Sequence, residues 1–197
     1  MGKVIVGATV SLDGFIADDN DDVGPLFDWY GNGEVAITLG DPDRVFHVSE
    51  ASAEYIRTAY ADIRATVIGR RLFDITNGWR GVPAAGEHVF VVTHEPPSDW
   101  GFPDAPFTFV TDGVASAIEQ ARGFAGDGDV SVTAGEIGSQ AVAQGLADEL
   151  HLGVVPVLFG SGKPFFATAA EQLLEDPRIV PGERVLHLIY RVRGSGG

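Results

Sequence analysis

Two adjacent arginines follow a glycine at the end of an apolar run, in the segment Val67-Ile68-Gly69-Arg70-Arg71. Glycine allows a tight turn after a strand, and the start of the following helix carries partial positive charge. Guanidinium groups bind phosphate oxygens through paired hydrogen bonds, so this pattern favours a pyrophosphate. The alternative reading is a helix start whose arginines pair with surface carboxylates.

Two further turns have residue types suited to a nucleotide. The segment TAGEIG at residues 133–138 places Ala134 and Gly135 between an apolar run and a helical pattern, so that main-chain N–H groups can face an anion. The segment VVTHE at residues 91–95 ends in Thr93, His94 and Glu95, where a doubly wound sheet presents its ligand contacts. Each segment taken alone is also an ordinary turn.

Alternating strands and helices must position these turns. Strands are predicted by apolar, β-rich runs at residues 4–10, 65–68, 88–93, 107–110, 130–133, 149–158 and 184–192. Helices are predicted at residues 50–62, 70–77, 113–124 and 136–144. This order indicates one α/β domain with a mainly parallel central sheet flanked by helices, and with an antiparallel C-terminal edge. Residues 18–48, rich in glycine, aspartate and proline, predict a long loop.

Composition and charge narrow the function classes. The chain has 197 residues, 45% of them hydrophobic and none of them cysteine, which fits one domain with a full core and excludes disulfides and cysteine nucleophiles. A net charge of −15 argues against nucleic acid and anionic membranes as partners. The N-terminus reads as a strand and no apolar run reaches the roughly 18 residues of a membrane helix, so we expect a cytoplasmic protein. Screening over about 8 Å lets Arg70 and Arg71 outweigh distant carboxylates at an anionic ligand.

Other chemistries lack their residues. The acidic run at residues 18–22 has Val23 and Trp29 where a calcium loop needs glycine and glutamate, so we interpret it as a solvated acidic turn. The five histidines have no metal-ligand spacing, and His151 and His187 are expected to line strands. We expect no metal site.

Five segments in this order resemble the dihydrofolate reductase-like superfamily, specifically the reductase domain of bacterial riboflavin biosynthesis and its stand-alone relatives. They are SLDGFIA at residues 11–17, VIGRRLF at 67–73, VVTH at 91–94, TAGEIG at 133–138 and GLADELHLGVVPVLFGSGKPFF at 145–166. The resemblance covers nearly the whole chain. We assign the reductase domain to residues 1–193, and residues 194–197 predict a flexible tail.

The resemblance implies a reductase that uses NADPH, with NADH as the alternative, on a small heterocyclic substrate of the pterin or flavin-precursor kind. It places the nicotinamide against Thr9, Ile16 and Ala17; phosphate against Gly69, Arg70 and Arg71; the adenosine ribose near Thr93 and His94; and the pyrophosphate over Ala134, Gly135, Glu136 and Ile137. The resemblance also implies a homodimer, for which the apolar strand at residues 150–158 is the expected contact.

Three positions depart from the family pattern. Ala134 stands where relatives carry glycine, so its methyl group either crowds the cofactor or is tolerated. Leu72 removes a hydroxyl group, and Glu95 would repel a phosphate. These departures leave open a non-catalytic nucleotide- or ligand-binding dimer that kept the fold, and a dimeric scaffold without a small ligand.

Carboxylates are the candidates for a proton donor. Asp13 falls near the nicotinamide end that the resemblance implies, and Glu54, or its neighbour Glu50, lies roughly where dihydrofolate reductases place their substrate carboxylate. A donor carboxyl group must be partly desolvated so that its pKa rises toward neutral. The alternatives are a turn residue for Asp13 and a solvated helix face for the glutamates.

Overall fold

A computed structural model describes residues 2–168 and 171–193; the expected tail at residues 194–197 lies outside them. The strands are β1 (Val4–Ser11), β2 (Phe15–Ala17), β3 (Val35–Thr38), β4 (Val45–Val48), β5 (Ile63–Gly69), β6 (His88–Val92), β7 (Phe107–Val110), β8 (Asp129–Thr133), β9 (Glu149–Val155), β10 (Lys163–Pro164), β11 (Arg178–Pro181) and β12 (Leu186–Arg191). The helices are α1 (Glu50–Tyr60), α2 (Arg70–Thr76), α3 (Val114–Ala125) and α4 (Glu136–Ala143), with shorter 3-10 segments at Gly24–Gly31 and Asn77–Gly81.

Eight of these strands form one sheet in the order β11-β12-β9-β1-β8-β5-β6-β7. The pairings from β9 through β7 are parallel, whereas β12 is antiparallel to both β9 and β11. The predicted α/β architecture, mainly parallel with an antiparallel C-terminal edge, is therefore confirmed. Residues 18–48 are not a structureless loop, because they contain the 3-10 segment Gly24–Gly31 and the hairpin of β3 and β4.

Different helices cover the two faces of the sheet. Helices α3 and α4 pack on one face, where Val6, Val67 and Val132 form the main core with Ile118 and Ala141. The opposite face carries two smaller apolar clusters. The α1 cluster contains Leu26, Trp29, Ile37, Val48, Ala53, Tyr55, Ile56, Val155, Val185 and Ile189, and the α2 cluster contains Ile68, Phe73, Val89 and Val91.

Two glycines set the position of α4. Gly135 precedes the helix with φ of 84°, a conformation that strains any residue with a Cβ atom. A Cβ atom at Gly138 would lie 2.6 Å from Cγ1 of Val6 and 2.8 Å from the carbonyl oxygen of Thr133. The helix therefore lies directly against the backbone of the central strands, and its first turn begins at their carboxyl ends.

Candidate functional site

A stripe of small and polar residues crosses the middle of the sheet between the α1 and α2 clusters. Successive side chains of a strand alternate between faces, and Val4, Val6, Val130 and Val132 belong to the main core. The intervening residues therefore point to the opposite face. Beyond the buried Ile5, they are Gly7 and Thr9 on β1 and Ser131 and Thr133 on β8, and these four are only partly buried although their strands are central. We call this stripe the central trough.

Six of the twelve residues predicted to bind a cofactor meet at the carboxyl edge of the strands. A Cβ atom placed on Gly69 would lie 3.0 Å from Cγ1 of Ile137, and one placed on Gly135 would lie 3.3 Å from Cδ1 of Ile16. The guanidinium Nη1 of Arg70 lies 3.4 Å from the hydroxyl oxygen of Thr93. Four separate segments of the chain thus border one end of the central trough.

The first turn of α4 offers main-chain donors there. The backbone N–H groups of Glu136, Ile137 and Gly138 have no hydrogen-bond partner among residues 2–168 and 171–193. The N–H of Gly135, in contrast, donates to the carbonyl oxygen of Phe165 at 2.8 Å. Three amides of the turn are therefore available to an anion, one fewer than a fully open helix start presents.

Both arginines of the phosphate motif have protein partners. Arg70 donates from Nε to Asp74 at 2.7 Å and from Nη1 to the carbonyl oxygen of Glu95 at 2.6 Å. Arg71 forms a two-point ion pair with Asp21. The pairing with carboxylates that the sequence left open is thus present, and any phosphate must compete with it.

The acidic turn that contains Asp21 is docked against α2 rather than solvated along its whole length. Asp21 has φ of 68° and a side chain only 18% exposed. The hydrogen bond from Arg71 lowers the pKa of Asp21, against an opposing effect of desolvation. The interpretation of residues 18–22 as a wholly solvated turn was therefore wrong for Asp21.

The remaining predicted cofactor residues occupy different environments. Thr9 lies in the central trough, and Ala17 is buried and pairs with Lys163. His94 and Glu136 are exposed beside the trough. Ala134 belongs to the main core on the opposite face, so its methyl group does not enter the trough.

Asp13 does not meet the condition for a proton donor. Its exposed carboxylate accepts hydrogen bonds from the hydroxyl of Ser11 at 2.5 Å and from the backbone N–H groups of Phe159 and Gly160, the latter at 2.7 Å. These bonds, led by that of Ser11, lower its pKa. Asp13 is a turn residue that ties residues 11–14 to residues 159–160, as the alternative reading has it.

The candidate glutamates of α1 also fail that condition. Glu50 and Glu54 are both exposed, whereas the side of α1 that faces the sheet carries Ser52 and Tyr55. Water surrounds both carboxylates, so neither has the partial desolvation expected of a proton donor. The solvated helix face is therefore the observed state.

Sequence reasoning missed a buried polar network under α1. The hydroxyl of Tyr55 lies 3.1 Å from Nδ1 of His151, whose Nε2 lies 3.0 Å from the Glu149 carboxylate. The hydroxyl of Ser52 lies 2.9 Å from Nε2 of His187. Burial lowers the pKa of His187 to about 4, so this ring is neutral near pH 7.

A weak signal for this network does exist in the sequence. Ser52 and Tyr55 are three residues apart, which places them on one helix face, and Glu149 and His151 are two apart, which places them on one strand face. The spacing does not show that the two faces meet.

Two cavities flank the site. One, of about 330 Å³, lies beside α2 and is lined by Arg70, Asp74, Asn77 and Trp100 among others. The other, also about 330 Å³, lies at the carboxyl ends of β1 and β9 and is lined by residues that include Leu152, Val154 and Phe165. Neither cavity is lined by Gly7 or Thr133, so the central trough lies outside both of them.

Within the described ranges, no cluster of three or more His, Cys, Asp or Glu side chains could hold a metal ion. In that same part of the chain, no helix has the length and apolar character needed to cross a bilayer.

No protein-family model and no curated protein matches this chain. Among solved structures, a protein from Shewanella sp. PV-4 named for riboflavin biosynthesis superposes with a TM-score of 0.67 at 21% identity, over 97% of this chain and 99% of that one. A pyrimidine reductase-like protein of Corynebacterium diphtheriae gives a TM-score of 0.59 at 14% identity, over 97% and 92% of the two chains.

A third similar structure is that of a longer, two-function protein. It is the diaminohydroxyphosphoribosylaminopyrimidine deaminase/5-amino-6-(5-phosphoribosylamino)uracil reductase of Thermotoga maritima, with a TM-score of 0.64 at 12% identity. The match covers 97% of this chain but only 56% of that one. At the level of fold these likenesses confirm the resemblance in the sequence: the chain has the dihydrofolate reductase-like fold of the riboflavin-biosynthesis reductases.

Proposed function

We propose that this chain is a cytoplasmic reductase that binds NADPH along the carboxyl edge of its central strands and reduces a small heterocycle in the central trough. The observation that carries the proposal is the convergence of Ile16, Gly69, Arg70, Thr93 and the start of α4 at one end of an open polar groove. Bound there, the cofactor would supply a hydride, and the chain would hold the cofactor and the substrate in position.

The residues present fit a dinucleotide. Gly135 is the residue over which a diphosphate would pass, and the three amides of Glu136, Ile137 and Gly138 are free to donate to it. Arg70 and Arg71 stand at the start of the neighbouring helix and can bind phosphate oxygens once their carboxylate partners are displaced. These local donors offset the net charge of −15 of the whole chain.

The substrate class rests on analogy with the similar structures. The Thermotoga maritima protein is named as a reductase of 5-amino-6-(5-phosphoribosylamino)uracil. A flat ring of this kind, or a pterin, suits a groove whose floor contains Gly7 and the short hydroxyl side chains of Thr9, Ser131 and Thr133.

Nucleotide binding tests the proposal. NADPH at a hundred times its dissociation constant should stabilise the protein by about 2.7 kcal/mol, seen as a rise in melting temperature. Arg70→Ala and Arg71→Ala should each weaken NADPH binding by about tenfold in calorimetric titration, because each removes a charge-assisted hydrogen bond. The ratio of the dissociation constants of NADH and NADPH measures the preference for the 2'-phosphate.

Arg64→Ala is the matched control. Arg64 forms an exposed ion pair with Glu87 at the amino end of β5, the opposite edge of the sheet, so its loss should leave NADPH affinity unchanged. No stabilisation by either nucleotide would contradict the proposal and favour a scaffold.

A second candidate is a binding protein without turnover. The engagement of Arg71 by Asp21 and of the Gly135 amide by Phe165 favours it, because both reduce the donors left for a cofactor. Nucleotide binding without NADPH oxidation in the presence of the uracil compound, a dihydropterin or a quinone would support this candidate over the reductase.

We further propose a homodimer. The face of β9, β12 and β11 opposite α1 presents Leu152, Val154, Leu186, Leu188 and Ile179, of which Leu186 and Ile179 are 46% and 57% exposed. All five of these side chains are apolar. A second copy of the chain can therefore pack against them despite the negative charge of both chains. Sedimentation analysis should give twice the mass of the chain, and a monomer would refute the dimer.

A further inference from the structure

The buried polar network under α1 joins a tyrosine to a histidine and a carboxylate through hydrogen bonds. Tyr55 contacts Nδ1 of His151, and Nε2 of His151 contacts Glu149. Lys3 lies 2.9 Å from the same carboxylate. Tyr55 and Glu149 are 8% and 7% exposed, so their polar groups form hydrogen bonds within the protein instead of with water.

Strand register places the His151 end of this network beside the central trough. His151 on β9 pairs with Gly7 on β1, and Gly7 pairs in turn with Thr133 on β8. A Cβ atom on Gly7 would lie 3.1 Å from the carbonyl oxygen and 3.4 Å from Cβ of His151, so the two strands approach closely here and no side chain on Gly7 stands between His151 and the trough. Glycine within a strand commonly marks such a close approach by a ligand.

The hydrogen bonds fix which atom carries each proton. Desolvation raises the pKa of Glu149, but hydrogen bonds from Lys3 and His151 outweigh it, and its pKa lies below the ordinary value. An ionised carboxylate only accepts, so Nε2 of His151 must be the donor. In the neutral ring Nδ1 then has no hydrogen, and the hydroxyl of Tyr55 must donate to it.

Protonation of His151 reverses the second bond. With a hydrogen on Nδ1, the imidazolium donates to the oxygen of Tyr55, and the hydroxyl hydrogen is released from the ring. Burial raises the pKa of Tyr55, so the hydroxyl itself stays protonated throughout. The charge on His151 therefore decides whether the Tyr55 hydroxyl hydrogen is held by the ring or is free to be donated to another group.

We propose that Tyr55 is the proton donor of the reduction, and that His151 and Glu149 are positioning residues that aim its O–H bond at the substrate. The inference rests on the proposed reductase function. As the substrate carbon gains a hydride from the cofactor, its heteroatom takes the Tyr55 hydroxyl proton, and Tyr55 takes the proton on Nδ1 of His151. One proton leaves the imidazolium, which becomes the neutral Nε2–H ring, and is later replaced from water.

The surroundings of His151 set the pH range in which Tyr55 can act as the proton donor. Burial lowers the pKa of His151 below its ordinary value of 6.5, and the Glu149 carboxylate opposes that shift. The titratable and charged groups around the network are Glu149 on β9, Lys3 before β1, Tyr55 and Tyr60 on α1, Arg178 on β11, and His187 and Arg191 on β12. The donor form of Tyr55 should become more populated as the pH falls.

Histidine-selective ¹⁵N NMR of the ligand-free protein tests the switch without a substrate. Near pH 8, His151 should be the Nε2–H tautomer, and it should titrate below 6.5 with a hydrogen appearing on Nδ1. Tyr55→Phe keeps the ring that stacks on His187 but should shift the Nδ1 resonance of His151. Tyr30→Phe, at a residue packed against the α1 cluster, should leave that resonance in place. An Nδ1–H tautomer in the neutral wild type would overturn the inference.

Kinetics with NADPH and 5-amino-6-(5-phosphoribosylamino)uracil then tests the catalytic role. Tyr55→Phe should lower kcat by about a hundredfold, with the KM for NADPH unchanged. His151→Gln should remove the fall in kcat that the wild type shows as the pH rises through the pKa of His151. Undiminished kcat in Tyr55→Phe overturns the inference while the reductase stands. The expected tautomer with no wild-type turnover instead refutes the reductase, and the donor role with it.

Discussion

On the α2 flank of the central trough the two arginines of the phosphate motif are at least partly exposed, whereas on the α1 flank the polar groups are buried. Arg71 is 63% exposed in its pair with Asp21, but Ser52 and His187 are at most 2% exposed in theirs. An exposed ion pair contributes little to stability and can exchange partners, while a buried polar pair is costly to break. The comparison indicates that the α2 flank is suited to capturing a ligand and the α1 flank to holding fixed geometry.

The largest expected effect is the loss of stability in acid from the α1 flank. The unfolded chain takes up a proton on His187 near pH 6.5, whereas the folded chain does so only near pH 4. The free energy of unfolding is therefore fully present above pH 6.5 and should fall by about 2–3 kcal/mol toward pH 4, allowing for partial screening. Urea unfolding at a series of pH values measures this.

His187→Gln should reduce that pH dependence, because glutamine cannot take up the proton. His47→Gln, at an exposed position on β4, should not change it. A pH dependence unchanged in His187→Gln would show that the buried ring is not its source.

A somewhat smaller effect is expected from Ser52→Ala. It leaves Nε2 of the buried His187 without its partner, which should cost about 1–3 kcal/mol of unfolding free energy. Ser98→Ala removes an exposed hydroxyl group bonded to Asp99 and should change stability by less than about 0.5 kcal/mol. Equal costs for the two variants would erase the distinction between the flanks.

The smallest effect is expected from Asp21→Asn on the α2 flank. It frees Arg71, so the affinity for NADPH should rise by about two- to fivefold with little change in melting temperature, as expected for an exposed ion pair. Asp43→Asn changes the net charge equally at an exposed position away from α2 and serves as the control. A fall in affinity would mean that Asp21 holds Arg71 in place for the phosphate.

The fold was largely predictable because strand and helix patterns alternate along the chain. Such an order buries its apolar faces as a mainly parallel sheet with helices on both sides. The hairpin of β3 and β4 was missed, since its surroundings are rich in residues typical of loops.

The two flanks of the trough also differ in how well the sequence predicts them. The motif of Gly69, Arg70 and Arg71 is local and exposed, so it could be found in the sequence. Tyr55 and His151 are 96 residues apart and Ser52 and His187 are 135 apart, and pairings of that kind are set by strand order and helix docking rather than by spacing. The predicted proton donors failed because solvent exposure, which decides a carboxyl pKa, is a property of the fold.

The sheet order also bears on how the chain is made. Val4 of β1 pairs with Val130 on β8, and Ile5 pairs with Glu149 on β9, so the first strand is inserted between two of the late ones. During translation β1 has no neighbour until the ribosome has released most of the polypeptide, and its valines stay available to chaperones until then. Such high contact order is associated with slow folding, and we expect the nascent chain to reach its native sheet only after synthesis has passed β9.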